Sequence, residues 1–120
     1  AVSVFLALKN VLDQREDVGM VFRHEMGHVL DCYAHNKLMA PSNEFVEITS
    51  MPDFQEIFKK EGDNLTEYGS KNPAEFFAEA FYMLTAKDPE ALNSLKANAP
   101  ETYKYLVDLI SKLKLQAEHE

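Results

Sequence analysis

Two histidines four residues apart, His24 and His28, enclose a glutamate in the segment HEMGH. Positions four apart on an α-helix lie about 40° apart around its axis, so both imidazoles point the same way and can bind one zinc ion. Glu25 lies about 100° from His24 around the helix axis. From there its carboxylate can reach a water bound to the ion but does not point at the ion itself. That is the position of a general base. The motif therefore predicts a catalytic zinc site, against the alternative of two exposed histidines on an amphipathic helix.

A zinc site with two histidines needs a third protein ligand from elsewhere in the chain. The remaining histidines fit poorly, because His119 lies in the C-terminal tail and His35 is about two turns beyond His28. The single cysteine, Cys32, excludes a site built on several thiolates, and we predict it to be a core or boundary residue. The third ligand is therefore expected to be a carboxylate.

The segment NPAEFFAEAF offers two carboxylates, Glu75 and Glu79, on one helix face among phenylalanines. Burying two carboxylates in apolar surroundings is costly unless both find partners. Zinc would satisfy Glu75, and the imidazole N–H of His24 would satisfy Glu79. Two alternatives stay open: Glu75 is the capping-box partner of Asn72, or Glu79 is a solvated side chain.

Three further residues have candidate roles near this site. Asp31 follows His28 by three positions and is either a hydrogen-bond acceptor for a metal ligand or a surface residue. Tyr68 lies in the loop before Glu75 and is a candidate oxyanion donor, although an ordinary loop tyrosine is the better interpretation from the residues alone. Gly27 costs a helix about 1 kcal/mol relative to alanine, which indicates a close approach by the helix that carries Glu75.

The elements that position these residues are predicted to be helices. Residues 18–35 have apolar side chains at helical spacing, and residues 36–50 are predicted to be an irregular connection. The face of the first of these helices that meets the core is predicted to contain Val18, Phe22, Val29 and Tyr33, with Val21 and Leu30 beside them.

Four later helices are marked by their start signals. Ser50 is predicted to cap a helix that has Pro52 in its first turn and Gly62 just past its end, and a loop follows over residues 62–70. The other three starts are Asn72–Pro73, Asp88–Pro89 and Pro100.

The first segment alternates like a strand but also fits a helix, which we favour. The chain is therefore predicted to be mainly α, with five or six helices in a single domain over residues 1–120. Because it lacks an initiating methionine, we expect it to be part of a longer chain.

Composition limits the partners. With 46% apolar and 27% charged residues, the chain is typical of globular proteins, and no apolar run is long enough to span a membrane. A net charge of −8 argues against nucleic acid and favours a basic protein or peptide as substrate.

The blocks HEMGHVLD and IFKKEGDNLTEYGSKNPAEFFAEAF resemble the catalytic domain of the anthrax lethal factor-like zinc metalloproteases, over residues 21–110 or so. The resemblance implies a secreted bacterial endopeptidase, often a toxin module, that hydrolyses peptide bonds in a protein substrate with zinc as its cofactor. Its implied site consists of the zinc ligands His24, His28 and Glu75, the base Glu25, the oxyanion or leaving-group donor Tyr68, and Glu79 behind His24.

One feature departs from that family. Zincins place a mixed β-sheet before the motif helix, whereas only 23 residues precede His24 here. The upstream sheet is therefore expected to be short or missing. A non-catalytic zinc-binding module that docks a partner protein is the alternative function, although an intact Glu25 argues against it.

Overall fold

The computed structural model describes residues 20–38 and 47–118. They contain five α-helices and two 3₁₀ turns. The helices are α1 Met20–Leu38, α2 Pro52–Glu61, α3 Pro73–Thr85, α4 Pro89–Asn98 and α5 Pro100–Glu118. The 3₁₀ turns are Ile48–Ser50, before α2, and Gly69–Lys71, before α3.

The described residues contain no strand, so the predicted mainly α class is confirmed. None of the helices in these two ranges has both the length and the apolarity needed to cross a membrane. The predictions for the first segment, including a short or missing sheet, lie outside the described residues.

Most of the predicted helix starts are confirmed. The side chain of Asn72 accepts a hydrogen bond from the Glu75 N–H at 2.9 Å, and that of Asp88 accepts one from the Glu90 N–H at 3.0 Å. A proline occupies the first turn of α2, α3 and α4, where its missing N–H is tolerated. The last helix begins at Pro100, as predicted.

The predicted cap of α2 is wrong. Helix α2 starts after Met51, whose side chain makes no capping hydrogen bond. Ser50 instead ends the first 3₁₀ turn, and its hydroxyl donates to the carbonyl of Glu47 at 2.6 Å. A serine hydroxyl readily bonds a carbonyl three residues back, and here that local bond replaces the cap. Gly62 does follow the end of α2, as predicted.

Helices α1 and α3 form the main packing interface of the fold. A Cβ added at Gly27 would lie 2.8 Å from the Ala78 Cα and 3.2 Å from the Phe81 Cβ. No side chain fits in that gap, so the two backbones approach as closely as the glycine allows. The predicted close approach at Gly27 is thus confirmed, and it is made to the helix that carries Glu75.

The predicted core face of α1 is partly wrong. Leu30 is buried, but Val29 is 38% exposed. The contact with α3 is centred on Gly27, and Val29 points about 160° away from it around the helix. The side chains of the other four predicted members are outside the part of the chain whose side chains the structure describes; they are those of Val18, Val21, Phe22 and Tyr33. The buried side chains on this face are those of Arg23, Met26, Leu30, Asp31 and Ala34.

Aromatic side chains fill the space between α2 and α3. Phe76, Phe77 and Phe81 are fully buried, as their sequence context predicts. Phe54 from α2 is also fully buried, and its ring centroid lies 5.5 Å from that of Phe77 in an edge-on arrangement. This cluster holds α3 in place behind the residues that face α1.

A buried carboxylate joins α2 to the start of α5. Glu61 accepts hydrogen bonds from the Thr102 N–H at 2.9 Å, the Thr102 hydroxyl at 2.7 Å and the Glu101 N–H at 3.1 Å. Free N–H groups and the helix dipole both favour a negative charge at this end of a helix. The pairing spans 40 residues, and no local sequence signal predicted it.

We expect Gly27→Ala to lower the free energy of unfolding by about 1–2 kcal/mol, because overpacking outweighs the gain in helix propensity. Urea unfolding measures this change. Val29→Ala, two residues along on the exposed side, is the control and should stay within about 0.5 kcal/mol of the wild type. A Gly27→Ala variant as stable as the wild type would show that the helices are not in tight contact.

Candidate metal centre

The donor groups of three side chains from α1 and α3 converge at one edge of their interface. His24 Nε2 lies 3.0 Å from Glu75 Oε2 and 3.2 Å from His28 Nε2. His28 Nε2 lies 3.1 Å from Glu75 Oε1. Two ligands about 2.0–2.1 Å from a tetrahedral zinc ion are themselves about 3.3 Å apart. The three groups therefore have the separations that a single small cation requires.

The donor set is enclosed on one side and open on the other. The exposed fraction is 12% for the His24 side chain, 19% for Glu75 and 29% for His28. Helix α3 covers the histidines from one direction, while His28 remains accessible from the other. The His28 side chain is therefore the most solvent-accessible of the three.

The orientation of His24 is set by Glu79. His24 Nδ1 lies 2.9 Å from Glu79 Oε2. An ionised carboxylate can only accept, so Nδ1 donates to Glu79, and Nε2 is the ring nitrogen that faces Glu75 and His28. Glu79 is 14% exposed, which rules out the alternative of a solvated side chain. The sequence-based expectation that Glu79 meets His24 corresponds to the geometry observed.

Glu75 takes part in only one half of the capping box that the sequence left open. Its backbone N–H is capped by Asn72, while its carboxylate faces the two histidines. Burial raises the pKa of this carboxyl, but hydrogen bonds with Tyr68 and His24 and the charges of both histidines outweigh that effect. The pKa of Glu75 consequently lies below its ordinary value. The group is thus anionic at neutral pH, as a metal ligand must be.

Glu25 and Tyr68 lie at the open side of the site. Both side chains are exposed, and the Tyr68 ring centroid is 5.5 Å from that of His24. The hydrogen bond to Glu75 raises the pKa of the Tyr68 phenol, and the negative charges of Glu75 and Glu25 act in the same direction. Tyr68 therefore remains protonated at neutral pH and can donate a hydrogen bond.

Asp31 points away from the histidines. It is fully buried, so the surface alternative is wrong. Its two carboxylate oxygens accept from the Thr49 N–H at 2.8 Å and the Thr49 hydroxyl at 2.7 Å. These bonds anchor the first 3₁₀ turn to α1, in place of the predicted bond to a metal ligand. Thr49 fell within a predicted irregular connection, so nothing in the sequence marked it as the partner.

Burial also controls the ionisation of Asp31 and its neighbour Cys32. Burial raises the pKa of Asp31 to about 6, although the hydrogen bonds with Thr49 oppose the shift. The nearby Glu47 raises it further. Cys32 is partly buried, and burial raises the pKa of its thiol, in agreement with the predicted boundary position.

One side chain at the site was missed by sequence reasoning. The Thr66 hydroxyl donates to Glu79 Oε1 at 3.0 Å and accepts from the Gly69 N–H at 2.9 Å. Thr66 lies in a predicted loop, where threonine is common and carries no distinguishing pattern. Only the packing of that loop against α3 reveals its partner.

Two comparisons with known proteins identify the family of this chain. The sequence model of the family described as "Anthrax toxin lethal factor, N- and C-terminal domain" matches residues 6–109. The chain belongs to this family. The lethal factor of Bacillus anthracis, a curated relative, is 43% identical over 89 residues. The aligned region is 74% of this chain and 11% of that relative, so the chain spans about a tenth of the relative's length.

We expect Asp31→Asn to flatten the pH dependence of stability. The raised pKa means that the folded state binds the proton more tightly than the unfolded chain does. The resulting stability is fully present below about pH 4 and is lost as the pH rises through about 6. A pKa change from 3.8 to about 6 corresponds to about 3 kcal/mol.

Urea unfolding at pH 4.5 and pH 7.5 tests this expectation. The difference between wild type and Asp31→Asn should shift in favour of the variant at the higher pH. The exposed Asp108→Asn is the control and should follow the wild-type curve. Parallel curves for wild type and Asp31→Asn would contradict the burial argument.

Proposed function

We propose that this chain is the catalytic domain of a zinc-dependent endopeptidase, which hydrolyses peptide bonds in a protein substrate. The observation that carries the proposal is the convergence of His24, His28 and Glu75: the two Nε2 atoms lie 3.2 Å apart, and each lies 3.0–3.1 Å from one of the two Glu75 carboxylate oxygens. The exposed Glu25 follows His24 on the same helix. Membership of a toxin family supports the proposal independently of the geometry.

The donor set fits zinc on chemical grounds. Two neutral imidazoles and one carboxylate are a ligand combination that catalytic zinc sites use. The pKa of the Glu75 carboxyl lies below its ordinary value, and the bond of His24 Nδ1 to Glu79 leaves Nε2 as the nitrogen available to the ion. When bound, zinc polarises a carbonyl and lowers the pKa of water towards about 7.

The chain's own residues would then divide the proton transfers between them. Glu25 accepts a proton from the attacking water while the oxygen of that water bonds to the scissile carbonyl carbon. The Tyr68 hydroxyl donates to the oxygen that becomes negative in the tetrahedral state. Glu25 returns its proton to the amide nitrogen as the C–N bond breaks. The products are a carboxylic acid and an amine, and Glu25 is restored.

The net charge of the chain and its family relationship suggest the kind of substrate and the place where the protein acts. A net charge of −8 favours a basic protein or peptide over an acidic one. We propose that residues 1–120 act as a single domain of a longer, secreted bacterial chain. This last step rests on the relative from Bacillus anthracis and on the family's description as a toxin component.

Glu75→Ala tests the ligand set. Removing this carboxylate should raise the zinc dissociation constant about a hundredfold or more. Removing only a hydrogen-bond partner of a zinc ligand already lowers metal affinity about 10–100-fold, and the loss of a ligand should cost more. Competition with a chelator measures the constant. Glu56→Ala removes an exposed carboxylate on α2 and should leave zinc affinity unchanged. Equal affinity in the Glu75→Ala variant would remove Glu75 from the ligand set.

Glu25→Gln tests the base. The variant should bind zinc as the wild type does, because Glu25 is not a ligand, and its kcat should fall about 10²–10⁴-fold. A library of basic and acidic peptides provides the substrates. Normal cleavage by Glu25→Gln would show that another group is the base. Zinc binding by the wild type without cleavage of any peptide would favour a non-catalytic module that docks a partner.

A further inference from the structure

The Thr66 hydroxyl joins the loop between α2 and α3 to Glu79, the residue behind His24. The Gly69 N–H can only donate, so Thr66 Oγ1 accepts at 2.9 Å. The Glu79 carboxylate can only accept, so the hydroxyl proton goes to Glu79 Oε1 at 3.0 Å. The direction of each hydrogen bond is therefore fixed by the chemistry of its two partners.

These bonds determine how the Glu79 carboxylate is oriented. The terminal torsion of glutamate has a broad energy profile, so packing of the stem alone does not set the plane of its two oxygens. Here Oε1 is held by Thr66 and Oε2 lies 2.9 Å from His24 Nδ1. With both oxygens engaged, the carboxylate has one orientation. That orientation directs His24 Nε2 towards Glu75 and His28.

The same hydroxyl closes the turn around Tyr68. Thr66 precedes Tyr68 by two residues, and the bonded Gly69 follows it by one. The Ser70 N–H also donates to the Thr66 carbonyl at 3.1 Å, so side chain and backbone hold the turn together. The Tyr68 ring packs edge-on against His24, with 5.5 Å between centroids.

The glycine at position 69 leaves room for this link. A Cβ at Gly69 would lie 3.0 Å from Thr66 Oγ1 and 3.5 Å from Glu79 Cγ. A side chain there would crowd the hydroxyl, which would have to shift by a few tenths of an ångström. The close packing at Gly69 is thus consistent with the hydrogen-bond pattern.

We propose that Thr66 is a positioning residue of the metal centre, whose hydroxyl orients His24 through Glu79 and holds Tyr68 beside it. The proposal rests on the proposed zinc peptidase function. It adds that one hydroxyl, that of Thr66, positions both the proposed zinc ligand His24 and the phenol of Tyr68. Removing this hydroxyl should therefore disturb both side chains. Thr66 itself contacts neither substrate nor ion.

The test compares Thr66→Val, which removes the hydroxyl at nearly constant shape, with Thr66→Ser, which keeps it. Thr66→Val should raise the zinc dissociation constant about tenfold and lower kcat with little change in KM. Thr66→Ser should restore both to within about twofold of the wild type. Thr85→Val removes a buried hydroxyl bonded to the Phe81 carbonyl in α3, and this control should change neither value.

Two results would overturn the proposal. One is a Thr66→Val variant with wild-type zinc affinity and kcat. The other is a Thr66→Ser variant as impaired as Thr66→Val, because the methyl group would then be responsible. Circular dichroism of each variant establishes that it is folded, and Thr66→Ser keeps the test decisive if Thr66→Val does not fold.

A further measurement separates this proposal from the proposed function. Nitrogen NMR of the metal-free protein at a single pH reports whether Nδ1 of His24, the nitrogen that faces Glu79, bears a proton. Wild type and Thr66→Ser should show a protonated Nδ1, and Thr66→Val should show a smaller protonated fraction at that nitrogen. If the wild type bound no zinc, the peptidase proposal would fail, and the NMR result alone would decide for or against the role of Thr66.

Discussion

The site depends on how closely two helices approach one another. His24 and His28 belong to α1 and Glu75 belongs to α3, and their donor atoms come within 3.2 Å of one another where these two helices pack together. Gly27 provides that contact against Ala78. The glycine weakens α1 as an isolated helix, and the interface it permits is what assembles the site.

The acidic groups near this interface remain buried because each finds a different kind of partner. Glu75 faces two histidines, and Glu79 bonds His24 and Thr66. Away from the site, Asp31 accepts from Thr49, and Glu61 accepts from the N-terminus of α5. This pairing is necessary because a carboxylate buried without a partner is strongly destabilising.

Sequence reasoning worked best where the signal was local. The starts of α3 and α4 followed from Asn72 and Asp88, because a cap bonds N–H groups two or three residues away. Ser50 shows the limit of such signals. Its hydroxyl donates to the Glu47 carbonyl in a 3₁₀ turn that no sequence pattern predicted. Val29 shows another limit, because helical spacing alone did not reveal which face of α1 meets α3.

The sequence by itself determined the helical class and the shared direction of His24 and His28, because both follow from a repeat of 3.6 residues per turn. It also indicated that Glu75 and Glu79 share one helix face. Tertiary structure alone decided that Asp31 bonds Thr49 and that Thr66 meets Glu79. Those contacts join residues 13 to 18 positions apart, through segments without a regular repeat. Where such segments lie is set by the packing of α1, α2 and α3, which no local pattern encodes.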